Sequence, residues 1–100
     1  MKRLLSLIFL LLLIACIEKE NSKIVEASCG QCQFGLTSKE GCDLAIKIDN
    51  KTYFVEGAHI DDYGDAHDET IGFCNAIRKV KITGNIEKDI FKVSSFTIIE

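Results

Sequence analysis

Cysteine placement constrains this chain more than any other feature. Cys29, Cys32, Cys42 and Cys74 fall in one stretch of a 100-residue polypeptide. A domain below about 80 residues gains little net stability from its apolar core alone and commonly relies on staples. Thiols supply staples in two ways, as disulfides or as ligands to a structural metal. The fold must therefore bring these distant positions together.

The address of the protein is written at its start. Met1-Lys2-Arg3 is positive, and Leu4 to Ala15 is an apolar run of 12 residues broken only by Ser6. That run suits a secretory signal and falls short of the roughly 20 residues that span a bilayer. It ends Leu13-Ile14-Ala15-Cys16, which resembles the lipobox of bacterial lipoproteins. The resemblance implies cleavage before Cys16, a diacylglycerol on its sulfur and a fatty acid such as palmitate on its new amino group. Several acyl chains anchor firmly, since each buried CH₂ contributes about 0.8 kcal/mol. An ordinary secretory signal with a chance cysteine is the alternative. The expected division is a signal peptide over 1–15, a lipidated cysteine and tether over 16–23, and a small β-barrel domain over 24–100. Ile17 to Lys23 is polar and without apolar periodicity, as a tether requires. Position 17 is Ile rather than an inner-membrane-retaining Asp, so the expected site is the outer membrane of the bacterial envelope, with the leaflet open.

Five β-type segments follow. Lys23 to Ser28 opens the domain. Leu44, Ile46 and Ile48 then alternate along one face, Asp49-Asn50-Lys51 signals a turn, and Thr52 to Glu56 is rich in β-branched and aromatic residues, so these two segments form a hairpin. Lys79 to Ile86 alternates again with Val80 and Ile82 inward. Ile90 to Ile99 is the last strand, with a kink near Ser94-Ser95 where the apolar phase slips by one residue. Between the third and fourth segments, Phe73, Ala76 and Ile77 have helical spacing and predict a short helix over 69–78. Five strands with one helix between the third and fourth is the order of the OB fold, a small Greek-key barrel. The expected class is mainly β, an OB-like five-stranded barrel preceded by a signal helix and tether. Another small barrel or a sandwich is the runner-up.

OB barrels often bind nucleic acid, but fold does not carry function. Losing Lys2 and Arg3 with the leader takes the formal charge from −3 to −5. A phosphate-tracking surface needs clustered Lys and Arg with stacking aromatics. Here Tyr53, Phe54, Phe91 and Phe96 sit at strand spacing and read as core. No nucleic-acid partner is expected.

Cys29-Gly30-Gln31-Cys32 has C-x-x-C spacing. Attachment of a c-type haem needs His at position 33, which is Gln. A thioredoxin-type site needs a cis-proline, and the chain has no proline. Two readings survive. In one, the cysteines form two disulfides. Closing the 33-residue loop from Cys42 to Cys74 would contribute about 3.7 kcal/mol, against about 1.9 for Cys29 to Cys32. Sequence does not choose among the pairings. In the other, Cys29, Cys32, His67 and Cys74 hold a soft metal, zinc or copper as Cu(I), with Cys42 as an alternate ligand or a buried thiol. His67 and Cys74 are spaced H-x6-C, which is not a standard zinc spacing.

The loop from Ala58 to Glu69 packs five carboxylates and two histidines into 12 residues. Counted from Asp61, its order is not that of an EF-hand, since Gly64 is misplaced and no Glu stands at the twelfth position. A catalytic reading would make His59 or His67 a base, but no Ser nucleophile or oxyanion-hole motif accompanies them. Asp61 and Asp62 read most simply as caps of turns in a solvated loop.

These residues together resemble a family of small bacterial lipoproteins described only as a domain of unknown function (number 6370). The matching segments are Cys29 to Gly35, Gly41 to Ala45, Tyr53 to Gly57, Ile60 to His67 and Gly72 to Lys79. Tyr63, where the family pattern has a basic or polar residue, and the longer Glu69-Thr70-Ile71 stretch depart from it. The resemblance implies that Cys29, Cys32, Cys42, His67 and Cys74 belong to one pattern. It carries no activity. The sequence thus leads to a lipid-anchored module that holds a metal, or to a disulfide-braced domain that docks an envelope protein partner; an enzyme is a distant third.

Overall fold

Two tight turns set one rim of a barrel. At Asp49-Asn50 and at Lys88-Asp89 both central residues have positive φ, between 49° and 70°, the geometry that matches the twist of paired strands in two-residue hairpins. Asn and Asp tolerate that region because their short polar side chains bond locally. The first turn joins β2 (Leu44–Ile48) to β3 (Lys51–Glu56), and the second joins β4 (Arg78–Glu87) to β5 (Ile90–Ile98). The chain enters β1 (Lys23–Cys29) at the same rim. These elements come from a computed structural model that describes residues 21–100. The expected signal helix, Cys16 and most of the tether lie outside the described residues; Lys23, assigned above to the tether, is the first residue of β1.

The strands close as β1-β2-β3-β5-β4, with β4 returning to β1. All neighbours are antiparallel except β3 and β5, which run parallel. This is the expected mainly β, OB-like five-stranded barrel. The kink is also present: Ser95 faces Thr83 and Val93 faces Gly84, so Ser94 is the extra residue of a β-bulge. β5 pairs with β4 from Ile90 to Ile98 and with β3 over Ile90 to Lys92, and the bulge bends it between its two ends.

Inward positions are apolar as the alternation requires. Ala27, Leu44, Ile46, Tyr53, Val80, Ile82 and Phe91 form one buried cluster, and Phe54 is buried as well. The long β3–β4 connection adds Ile60, Ala66 and Phe73 to it. That connection therefore plugs the rim opposite the hairpins.

The helical element between β3 and β4 is not where the spacing of Phe73, Ala76 and Ile77 placed it. Residues 69–77 form turns and irregular loop and Arg78 already belongs to β4, while a 3₁₀ helix occupies Ile60–Tyr63. Long-range partners decide against the helix. The Phe73 carbonyl receives the Cys29 amide (3.0 Å) and meets the Ser28 hydroxyl (2.6 Å), which also meets the Ala76 carbonyl (2.7 Å). Only Phe73 of the expected apolar face is buried; Ile77 stays exposed. The 3₁₀ helix has a reciprocal cap instead: His59 Nδ1 accepts from the Asp61 amide, and Asp62 accepts from the His59 amide. Tyr63 at its end stacks on Phe96 (4.8 Å between centroids) and meets Phe73 edge-on (6.1 Å), fastening the loop to β5.

Candidate metal centre

Cys29 ends β1 and is wholly buried. Its backbone is extended, and it caps α1 (Gly30–Gln33), a single helical turn whose Cys32 amide donates to Cys29 Sγ at 3.4 Å. An amide pointing at sulfur is how a C-x-x-C knuckle orients its first thiol. Gly30 is needed at the turn for space, since a Cβ there would lie 2.7 Å from a Phe54 ring carbon and 3.0 Å from Ala45 and Leu36.

Two further segments meet this knuckle, each held by a glutamine of α1. Gln31 donates to Asp43 Oδ2 (2.7 Å) and accepts from the Asp43 amide (2.8 Å), while the Gly30 amide donates to the Asp43 carbonyl (2.8 Å). Cys42, next to Asp43, is thereby fixed. Gln33 donates to the Cys74 carbonyl (2.8 Å), and the Cys74 amide donates to the Ala66 carbonyl (2.9 Å). Asn75 ties the same turn to the carbonyls of His67 and Asp68. The result is four sulfur atoms, from Cys29, Cys32, Cys42 and Cys74, all within 4.8 Å of one another. Cys42 Sγ and Cys74 Sγ are 2.9 Å apart. All four are thiols, so none of the disulfide pairings considered above is formed in the structure.

Residues 23–99 match a family described as a family of unknown function, DUF6370. The chain belongs to the DUF6370 family. Neither the curated proteins nor the solved structures yield a match to it. The DUF6370 match spans the whole barrel and all four converging cysteines.

The DUF6370 cluster fits a tetrahedral soft-metal site. Zinc–sulfur bonds of about 2.3 Å place tetrahedral sulfurs about 3.8 Å apart, and the four sulfurs lie within 4.8 Å of one another with the Cys42–Cys74 pair at 2.9 Å. Binding would open the Cys42–Cys74 contact by about 0.9 Å. Electrostatics point the same way. Burial raises the Cys29 thiol, but hydrogen bonds from Cys42 and from the Cys32 amide outweigh it and leave Cys29 below the ordinary thiol range. Cys32, hydrogen-bonded to Cys29 and partly desolvated, is pushed up to about 11. Cys42 is pushed up by burial and by its contacts with Cys29 and Cys74. One negative charge is thus favoured and the next ones are resisted by like-charge repulsion. A bound cation would remove that resistance and release the protons.

His67 does not join the group. Its side chain is 83% exposed and its Nδ1 lies 3.8 Å from Asp65 Oδ1, because the turn around it is fixed by Asp65, which accepts from the His67 amide, and by the Asn75 amide on the His67 carbonyl. Cys42 stands in the fourth position instead. The acidic residues act as turn caps: Asp68 accepts from the amides of Thr70 and Ile71, which hold its carboxyl below the usual carboxylate range. Gln31, Gln33, Ser28 and Asn75, which position the cysteines, carry no motif that sequence reading could have used.

Proposed function

We propose that the chain is a soft-metal-binding module in which Cys29, Cys32, Cys42 and Cys74 coordinate one zinc or Cu(I) ion, for storage, sensing or delivery at the bacterial envelope. The convergence of four sulfurs from three chain segments within 4.8 Å carries this reading. Thiolates are the ligand class that selects zinc and Cu(I) over hard cations. The reading places the protein on the outer membrane through a lipid on Cys16, with no nucleic-acid partner.

The test is made on the full chain, purified in detergent under reducing conditions. One equivalent of zinc or copper by elemental analysis is expected, with the four cysteines becoming reactive once the metal is removed under denaturing conditions. Metal should be lost in Cys42→Ser and kept in His67→Ala. A second reading, in which two disulfides brace a domain that docks an envelope protein, draws on the close Cys42–Cys74 approach; absence of both metal and free thiols in the protein as isolated would favour it and end the first. For the anchor, Cys16→Ser should move the protein out of the membrane fraction. Unchanged fractionation would contradict lipidation at Cys16.

A further inference from the structure

The four sulfurs are not equivalent. Cys29 is wholly buried, and its sulfur receives the amide that starts α1. Cys42 and Cys74 are half-buried, sit in loops rather than in the knuckle, and already touch across 2.9 Å. A disulfide needs about 2.05 Å between sulfurs, so this pair must close by less than the width of an atom. Both are partly exposed, and although Cys32 is exposed as well, its knuckle partner Cys29 is wholly buried. The contact that must lengthen for tetrahedral binding is the one that must shorten for a bridge. The two states exclude one another.

Resting on the metal-binding reading, we infer that the centre is redox-gated: a peroxide oxidises Cys42 and Cys74 to a disulfide and expels the metal, leaving the Cys29–Cys32 knuckle reduced. The step balances. Two metal-bound thiolates give up two electrons and form the S–S bond; hydrogen peroxide takes those electrons with two protons and leaves as two water molecules. Zinc departs as Zn²⁺ without changing oxidation state, and the remaining two thiolates take up protons from solvent. Two ligands alone do not hold zinc tightly. Reduction of the bridge restores the site, so release is reversible.

The experiment uses the full chain in detergent, reduced and loaded with zinc, then treated with one equivalent of hydrogen peroxide. Zinc release is followed with a chromogenic chelator, free thiols are alkylated, and tryptic peptides are weighed. Cleavage after Lys23, Lys39, Lys47, Lys51 and Arg78 puts Cys29 and Cys32 together in 24–39, Cys42 in 40–47 and Cys74 in 52–78. The expected result is a cross-linked species of 40–47 with 52–78, doubly alkylated 24–39, and one zinc released per bridge. Dithiothreitol with fresh zinc should reverse it. A bridge inside 24–39, or zinc lost with the thiols over-oxidised and unbridged, overturns the assignment. Zinc retained beside a Cys42–Cys74 bridge overturns the gating while leaving the metal site standing. A reduced chain that takes up no zinc overturns both, whatever the peptides show.

Discussion

Zinc should raise the midpoint of thermal unfolding of the reduced chain by about 15–30 °C when free metal exceeds its dissociation constant a thousandfold. A ligand bound only by the folded state stabilises it by about 4.1 kcal/mol under that excess. For a domain of this size each kcal/mol moves the midpoint by about 4–8 °C. The effect is large because the ion would tie together segments that otherwise meet through a few hydrogen bonds: the end of β1 with α1, the residues before β2, and the β3–β4 connection. Protons compete for thiolates, so the shift should shrink as the pH is lowered. Cys42→Ser should abolish most of it, and His67→Ala should leave it intact. Calorimetry with and without zinc decides. An unchanged midpoint, or a shift that disappears in His67→Ala and survives in Cys42→Ser, would refute the four-sulfur assignment.

Gly72→Ala should lower the midpoint by about 5–20 °C and weaken zinc uptake together. A methyl group there would lie 2.6 Å from the Asp68 amide nitrogen and 2.7 Å from the Ala66 carbonyl carbon. These are backbone atoms, which cannot swing aside as a side-chain tip can. Overpacking of this kind costs about 1–3 kcal/mol, occasionally more. The chain crosses itself at this point, with the Gly72 amide on the Asp68 carbonyl (3.1 Å) and the Cys74 amide on the Ala66 carbonyl (2.9 Å). Prying the crossing open displaces Cys74 two residues on. Thermal denaturation and a zinc titration of the variant measure both effects; a native midpoint with undiminished affinity would show that the crossing does not position the thiol.

The strands were legible because alternation and turn chemistry agree. Leu44–Ile48 reads identically in sequence and structure, and the one-residue slip of apolar phase near Ser94 became a bulge. Where several weak local signals competed with long-range bonds, sequence failed. Phe73, Ala76 and Ile77 have helical spacing, yet the carbonyls of Phe73 and Ala76 are engaged by Ser28, 45 and 48 residues away. Nothing local announces such a partner. The cluster was legible in composition and not in membership. Cys42 lacks a close cysteine neighbour in sequence and stood as an alternate, whereas His67 looked attractive beside its carboxylates. Space assigned the places: Gln31 draws in the chain at Asp43, while Asp65 and Asn75 leave the imidazole in solvent.

Closure of the barrel through β1 and β4 bears on when the protein can mature. Lys23 to Ala27 must find Arg78 to Ile82, a pairing of widely separated segments, and such pairings form slowly because the intervening chain must first be ordered. A growing polypeptide presents its N-terminal portion first. Three of the cluster's four thiols are therefore made well before Cys74. If closure of β1 on β4 comes late, as pairings of separated segments do, the four-sulfur nest is completed late as well.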